Sequence, residues 1–408
     1  MREPTSGAPD STDALYNRSR AMKVLSDERR DGLVASSAEN VTYLTGFDCP
    51  SPYMRREVQV FAVATADGRG RPSLVMPASF LAYLVDQPWY GGAVHVYGHP
   101  LVTPATDGTM DARDTRVAEL LRTVPRHNSA VDALIAALTE AELLASRLAL
   151  DETGVTPQTW NLLRERLGKA DVAAGSTILR RIRMVKTERE VALLRRSSEI
   201  IEAAERDMLA AARVGVTEKE LEGIIERRVM AEGAIVGYSY LGLGPRGALL
   251  RPASENAGRA GDLIRTEMGC TFHHYWSDTG RTAVLGSPSD RQRKLHVALL
   301  AGHRATLEAL RVGTPASAIF DAAIRAVRAA GFATYERPHV GHGIGLQLYD
   351  VPTLSPADHT VLEAGMVINV EIPYYELGFG SMQIEDTLLI TDKEPVLLSD
   401  APRDLQVL

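Results

Sequence analysis

Residues 263–286, LIRTEMGCTFHHYWSDTGRTAVLG, decide how the second half of the chain is interpreted. Glu267 and Asp278 lie in two β-like segments of this stretch, with a turn predicted at residues 272–274. Their separation of eleven residues would place them on opposite faces of one straight strand. Across a hairpin or a bulge, however, the two carboxylates can converge. The stretch therefore predicts a β-rich region that carries a carboxylate pair.

Three more ligand-type residues follow farther along the chain. His342 lies within residues 339–345, HVGHGIG, whose glycines allow the backbone to approach a ligand closely. Glu371 and Glu385 each follow a strand-like run of mostly apolar residues. Acidic residues in such runs need a compensating positive charge, which a divalent metal supplies. Together with the carboxylate pair, these residues predict an oxygen-rich site for Mn, Fe, Co or Zn, and they argue against thiolate zinc or iron–sulfur sites.

Composition limits the class of protein. The chain has 408 residues, too many for one ordinary core, so two domains are expected. It is 45% hydrophobic and 24% charged, without an apolar run of about eighteen residues that could span a membrane. A net charge of -7, without a stripe of basic residues, disfavours nucleic acid as a partner. Two distant cysteines, Cys49 and Cys270, and a polar start predict a cytoplasmic protein with free thiols.

The first part of the chain alternates short β-rich runs with helical stretches. Residues 1–20 are polar and lack apolar periodicity, which predicts a flexible tail. Residues 21–174 form the predicted α/β N-terminal domain, in which residues 58–64 are a strand and residues 131–148 a helical stretch. Small residues at 168–176 mark the predicted domain boundary.

The second predicted domain, residues 175–408, begins with a basic, strand-like segment at residues 178–186. Capping boxes that begin at Thr187 and Thr217 predict two long helices, because each box satisfies two backbone donors at a helix start. Strands follow, and two more helices are predicted within residues 290–330 before further strands. The repeated order of helix, helix and strands predicts an internal duplication.

Several segments resemble the pita-bread metallohydrolases, the family of prolidase, aminopeptidase P, methionine aminopeptidase and creatinase. The resemblance extends through about residues 179–398, and residues 40–47 (NVTYLTGF) are similar to the N-terminal domain of prolidases and creatinases. The expected fold is a two-domain α/β protein with a creatinase-like N-terminal domain and a pita-bread α+β catalytic domain. The matching segments are residues 183–186 (RMVK), 277–282 (SDTGRT), 341–346 (GHGIGL), 362–367 (LEAGMV) and 384–387 (IEDT).

The resemblance implies that the five residues named above are the metal ligands and that the metal is Mn, with Fe, Co or Zn as alternatives. The family ordinarily has Asp at the first position, so Glu267 is a departure that leaves one or two ions per chain open. The resemblance also implies a homodimer in which the N-terminal domain overhangs the neighbouring active site. Asp48, Tyr53 and Arg55 are candidate contacts for that overhang, or simply a polar loop.

Other departures surround the predicted substrate side. Tyr349 stands where family members usually have a His, and Gln383 where they have an Arg. Arg251 replaces another His in a loose match; it suits a substrate carboxylate, but it can equally be a surface residue. His274, at a usual Gly position, either lines the pocket or faces solvent in the turn. His339 is expected to contact substrate or to support a metal ligand.

The default hypothesis is a metal-dependent hydrolase of the Xaa-Pro peptidase type, which cleaves an amide bond in a small peptide or peptide-like substrate. In it, Glu371 accepts the proton of the attacking water, and His339 or Tyr349 helps the metal to stabilise the oxyanion. The departures leave two alternatives open. One is a non-peptidase enzyme of the same fold, such as a creatinase-like amidinohydrolase or a lyase acting on a small acid or specialised metabolite; the other is a metal-free binding protein.

Overall fold

The computed structural model describes residues 15–48, 58–87, 91–106, 108–168, 170–398 and 400–408. Contacts between residues divide the chain into two compact units, with the division between Arg183 and Met184. The predicted boundary, between residues 174 and 175, lies a little earlier. The first helix begins at Arg18, inside the predicted tail, and Asn17 caps it by accepting a hydrogen bond from a backbone N–H. No described helix is both long and apolar enough to cross a membrane.

The first unit is built on a seven-stranded sheet with helices around it. Its strands are β1 (Gly32–Ala35), β2 (Phe61–Thr65), β3 (Ser73–Pro77), β4 (Val94–Tyr97), β5 (Arg126–His127), β6 (Arg147–Leu150) and β7 (Asp171–Ala174). The strand order is β5-β4-β3-β2-β1-β6-β7, in which β2 runs antiparallel to both of its neighbours and the other pairs are parallel. The helices are α1 (Arg18–Asp27), α2 (Ala38–Thr45), α3 (Tyr83–Asp86), α4 (Ala112–Thr123), α5 (Ala130–Glu140), α6 (Pro157–Arg166) and α7 (Ser176–Arg183).

The helical stretch predicted at residues 131–148 is wrong in its second half. Helix α5 ends at Glu140, and Glu142 then adopts a positive φ of 59°, which a helix cannot continue through. The chain turns there and enters β6 at Arg147. A glutamate in this backbone region is uncommon, so the sequence carried no turn residue that would have marked the helix end.

The strand-like segment predicted at residues 178–186 is also wrong, because the chain is helical there up to Arg183. Ile178, Leu179 and Ile182 are buried, and their spacing fits one face of a short helix. An apolar and basic run this short does not by itself distinguish helix from strand.

The described part of the second unit contains four long helices. Capping boxes at Thr187 and Thr217 begin the first two, which confirms the predicted helix starts. They are α8 (Glu188–Ala211), α9 (Glu218–Ala231), α10 (Asp290–Ala309) and α11 (Ala316–Ala329). The strands are β8 (Ile235–Ser239), β9 (Gly242–Leu243), β10 (Leu263–Arg265), β11 (Met268–Phe272), β12 (Tyr275–Trp276), β13 (Thr282–Val284), β14 (Gly341–Gly343), β15 (Asp350–Thr353), β16 (Val367–Glu371), β17 (Tyr374–Glu376), β18 (Gly380–Met382), β19 (Glu385–Leu389), β20 (Val396–Leu397) and β21 (Gln406–Val407).

Each helix pair of the second unit packs together over its own apolar core. Ile201 of α8 and Ile225 of α9 belong to the core beneath the first pair. Leu299 of α10 and Ile324 of α11 belong to the core beneath the second pair, with Ile368 of β16. The order of helix, helix and strands thus occurs twice, and each occurrence buries a separate apolar cluster. Cys270 lies in the first of these cores as a buried free thiol, as predicted.

Leu299 and Val297 test whether the second core holds this unit together. Leu299 is fully buried, whereas Val297, on the same helix, is 63% exposed. We expect Leu299→Ala to lower the free energy of unfolding by about 2–5 kcal/mol, because it opens a cavity in a packed core. The matched Val297→Ala change is expected to shift it by less than about 0.5 kcal/mol. Denaturant titration followed by circular dichroism measures both, and equal effects would contradict this description of the core.

Candidate active site

Antiparallel strands bring four of the five predicted ligands together. In the five-stranded sheet, Glu371 at the end of β16 pairs directly with Glu385 at the start of β19. His342 is the middle residue of β14, which pairs with β16 on its other side. Asp278 precedes β13, and a bridge between Gly280 and Glu385 joins its segment to β19. Residues opposite each other in such a sheet present their side chains on the same face.

Short contacts connect these side chains. The Nε2 atom of His342 lies 3.4 Å from an oxygen of Asp278. The Nδ1 atom of His342 lies 3.0 Å from the carbonyl oxygen of Gly343, and because a carbonyl can only accept, Nδ1 carries the hydrogen. In the neutral ring Nε2 therefore presents a lone pair toward Asp278 and its neighbours. That is the state in which imidazole binds a metal.

Glu385 and Asp278 accept hydrogen bonds from neutral donors. One oxygen of Glu385 accepts a hydrogen bond of 2.6 Å from the Asn369 amide, and the other accepts one of 2.5 Å from the Gln383 amide. The Tyr238 hydroxyl donates to Asp278. These partners orient the carboxylates, but they bring no positive charge to balance them.

All four side chains are buried, with between 0% and 6% of their surface exposed. Burial, together with the charges of Asp278 and Glu371, raises the pKa of Glu385 well above its usual range. Burial also raises the pKa of Glu371, although His342 opposes that shift. Burial alone would lower the pKa of His342, but Asp278 and Glu371 outweigh it, so that this pKa is raised. The cluster is therefore short of positive charge.

The cluster fits a cation in its chemistry. Among the described residues, His342 Nε2 and Glu371 Oε1 are buried atoms that find no hydrogen-bond partner, and a metal ion would satisfy both. Carboxylate oxygens with one imidazole are suitable donors for a divalent metal. Among the described residues, no three His, Cys, Asp or Glu side chains already stand in a finished metal-binding arrangement. The fit thus lies in donor type, burial and unsatisfied atoms.

Glu267, the fifth predicted ligand, has other partners. Its carboxylate forms an ion pair with Arg265 and accepts a hydrogen bond of 3.3 Å from the Tyr375 hydroxyl. It is 14% exposed, more than the four residues described above. The structure brings Asp278, His342 and the two glutamates together, and it engages Glu267 with a guanidinium.

Two predicted catalytic side chains border the cluster. His339 Nδ1 lies 3.2 Å from Glu371 Oε1. Burial, with further contributions from His342 and Arg337, lowers the pKa of His339 to about 4, so its ring is neutral at neutral pH. Tyr349 stacks on the His342 ring at 3.8 Å between centroids and is half exposed. Burial raises the pKa of its hydroxyl, which stays protonated and can donate.

The predicted substrate contacts are placed less uniformly. Gln383 lies inside the site, where it donates to Glu385 and accepts from Arg265. His274 has a positive φ of 70° in the turn between β11 and β12 and is partly buried. Arg251 is exposed in the irregular chain between β9 and β10. Of the candidate overhang contacts, Asp48 is described, whereas residues 53 and 55 lie outside the described residues, as does Cys49.

Sequence reasoning missed three residues of the site. Arg265 is a charged residue at the end of an apolar strand and is only 1% exposed, so the demand for a buried counter-ion could have revealed it. Tyr375 contacts it from a distant strand, which no local pattern indicates. The Arg337 guanidinium lies 4.9 Å from the Tyr375 ring, and its Nε is buried without a hydrogen-bond partner.

Each unit of the chain matches a known family model. Residues 192–392 match the model of metallopeptidase family M24, and residues 18–185 match the creatinase/prolidase N-terminal domain. A Xaa-Pro dipeptidase of Pyrococcus furiosus is 30% identical over 235 residues, which are 56% of this chain and 66% of that protein. A Xaa-Pro dipeptidase of Lactobacillus delbrueckii subsp. lactis is 25% identical over 401 residues, 96% of this chain and 99% of that protein. The alignment with the Pyrococcus protein thus spans just under two thirds of that relative.

A solved structure shows the same architecture. Dipeptidase PepE from Mycobacterium ulcerans is 24% identical and has a TM-score of 0.76, with 96% of each chain covered. At this identity the likeness concerns the fold. Together with the two matched models, it confirms the predicted two-domain layout of a creatinase-like α/β domain and a pita-bread domain.

Repulsion within the cluster predicts how the metal-free protein responds to pH. A carboxyl whose pKa is raised by folding costs stability once pH exceeds its unfolded value, near 4.5 for glutamate, because the fold then opposes ionisation. We expect the double change Glu371→Gln and Glu385→Gln to stabilise chelator-treated protein relative to the parent, and more so at pH 8 than at pH 5. Denaturant titration at both values measures this difference.

The exposed Glu336→Gln change is the matched control, because Glu336 is 84% exposed. Its effect on unfolding should be small at both pH values. If the difference between the double variant and the parent did not depend on pH, the proposed repulsion would be excluded.

Proposed function

We propose, given that the chain belongs to metallopeptidase family M24 and carries a creatinase/prolidase N-terminal domain, that it is a metal-dependent hydrolase of Xaa-Pro dipeptides or similar short peptides. The matched metallopeptidase model and the Xaa-Pro dipeptidase relative confirm the predicted family. The observation that carries the proposal is the buried cluster of three carboxylates and one imidazole with unsatisfied ligand atoms. The relatives named Xaa-Pro dipeptidase support the substrate class.

Membership in this family implies a divalent metal cofactor. We propose that Asp278, His342, Glu371 and Glu385 hold it, and that the metal is Mn, with Fe, Co or Zn as alternatives that the same donors accept. A divalent ion in such a site lowers the pKa of water and polarises a carbonyl group. The protein supplies the buried, oriented donors and a positively charged neighbour, Arg337, whose charge acts on Glu371.

Glu371 is the proposed base. Within the described residues its Oε1 has no hydrogen-bond partner, and burial raises its pKa, which suits a group that must accept a proton from water and release it again. His339 lies beside that oxygen and is neutral, so it can exchange a hydrogen bond with Glu371 or with the substrate amide. Tyr349, half exposed and stacked on His342, is the proposed donor to the substrate carbonyl oxygen.

The residues that depart from the family pattern motivate a second candidate function. Tyr349 and Gln383 stand where the family has a His and an Arg, and a creatinase-like amidinohydrolase or a lyase on this fold would use the same cluster. Such an enzyme would bind metal and leave Xaa-Pro peptides intact. A binding protein of this fold would bind no metal at all.

The proposed setting follows from the resemblance. We propose a cytoplasmic homodimer in which the N-terminal domain reaches the neighbouring active site. Light scattering coupled to size-exclusion chromatography measures the mass in solution. A monomer at working concentration would remove this part of the proposal.

Glu371→Gln tests the chemistry. The amide keeps the size of the side chain but cannot accept a proton, so we expect kcat on an Xaa-Pro dipeptide to fall at least about a hundredfold. The Mn-loaded protein is assayed, and metal content is measured in the same samples so that loss of metal is separated from loss of the base. Glu336→Gln, on the exposed surface, should keep the parent rate. Full turnover by a metal-loaded Glu371→Gln protein would remove the assignment.

A further inference from the structure

Arg265 is a buried cation next to a predicted metal ligand. It ends strand β10 and is 1% exposed. Glu267 follows two residues later, in the short connection between β10 and β11, and its carboxylate forms an ion pair with Arg265. Thr266, between them, donates to Glu205 of α8.

Neutral side chains form hydrogen bonds around the Arg265–Glu267 ion pair. Arg265 Nη2 forms the ion pair with Glu267 and donates to the Tyr375 hydroxyl at 3.1 Å. That hydroxyl donates to Glu267 at 3.3 Å, and the guanidinium lies 4.9 Å from the Tyr375 ring centroid. Arg265 also donates from Nε and Nη2 to the Gln383 side-chain oxygen, each at 3.4 Å. Glu267 is the carboxylate in this group.

A buried guanidinium requires a negatively charged partner. Arginine stays protonated at any working pH, and an unpaired charge in the interior is strongly unfavourable. Glu267 is the carboxylate paired with this guanidinium. A divalent ion drawn to Glu267 would face the guanidinium at short range, and their repulsion would oppose its binding.

The balance of charges around the site also favours a single divalent ion. Glu267 and the three clustered carboxylates, when ionised, are partly balanced by Arg265 and by Arg337, which lies 4.9 Å from the Tyr375 ring. One divalent ion neutralises what is left. A second would leave a buried site with excess positive charge, which a low-dielectric interior disfavours.

Gln383 connects the pair to the cluster. Its oxygen accepts from Arg265, which forces its amide nitrogen to face Glu385, where it donates at 2.5 Å. An arginine at position 383 would place a second guanidinium against Arg265. The cation and the amide thus form one arrangement, with the positive charge on β10 and a neutral donor at position 383.

We propose that this site holds a single divalent ion and that Arg265 supplies a fixed positive charge where a second ion would otherwise sit against Glu267. Glu267 is then a counter-ion for Arg265, and Asp278, His342, Glu371 and Glu385 are the ligands. This inference rests on the proposed metal-dependent function. It also defines Arg265 as a positioning residue, which orients Glu385 through Gln383.

The test counts ions. Parent protein is treated with chelator, titrated with Mn²⁺ in a calorimeter, and analysed for bound metal by elemental mass spectrometry. We expect about one ion per chain for the parent and about two for Arg265→Met, in which Glu267 is released to bind metal. The double variant Arg265→Met with Glu267→Gln should return to about one. Arg293→Met, an exposed arginine on α10, is the matched control and should equal the parent.

The outcomes separate this inference from the function on which it rests. Two tight ions in the parent, or one ion in a folded Arg265→Met protein, would overturn the inference. If Arg265→Met does not fold, the parent count decides. Hydrolysis of an Xaa-Pro dipeptide is measured on the same loaded parent. Two ions with hydrolysis would remove only the single-ion site, one ion without hydrolysis would remove only the peptidase function, and no ion would remove both.

Discussion

The pairing of β16 with β19 sets Glu371 directly opposite Glu385, and the site depends on this register. A shift of one of these strands by one residue would turn its carboxylate to the other face of the sheet, away from its partner. With the register as it is, β14 adds His342 from one side and the segment before β13 adds Asp278 from the other. Sheet hydrogen bonds thus hold mutually repelling groups close together, at a cost that a bound cation removes.

The residue after Glu385 shows what a balanced carboxylate looks like in the same strand. Asp386 faces the opposite side of β19. It accepts from Arg281 at 2.7 Å and lies 2.9 Å from His303 Nε2. Burial would raise the pKa of Asp386, but Arg281 and His303 outweigh it and hold that pKa far below its usual range. Asp386 is paired with the guanidinium groups of Arg281 and Arg403, whereas among the described residues the side chain of Glu385 is held by the neutral amides of Asn369 and Gln383, and this difference marks where an external cation belongs.

Local signals in the sequence were sufficient for much of this structure. The capping boxes at Thr187 and Thr217 begin helices where predicted, since a helix start is written in neighbouring residues. Their positions in apolar runs singled out Glu371 and Glu385 as candidate ligands, and the structure pairs them across two strands. Helix α7 was missed because its short apolar run suits either period. Helix starts and short helices depend on contacts between residues close together in the sequence.

The contacts that define the site chemically are long-range, and the sequence does not contain them in readable form. Arg265 meets Tyr375 and Gln383 more than a hundred residues away, so its pairing with Glu267 emerges only when the strands assemble. The stacking of Tyr349 on a ligand ring similarly depends on how β14 and β15 are connected. Family resemblance pointed to Glu267, Tyr349 and Gln383 as departures, and the structure shows what these side chains contact.

Anomalous X-ray diffraction from crystals grown with Mn²⁺ tests most directly whether the buried cluster is a cation site. We expect an anomalous peak in contact with Asp278, His342, Glu371 and Glu385, and no peak of similar height elsewhere in the catalytic unit. An empty cluster at saturating Mn²⁺, or a peak held by other side chains, would contradict this expectation.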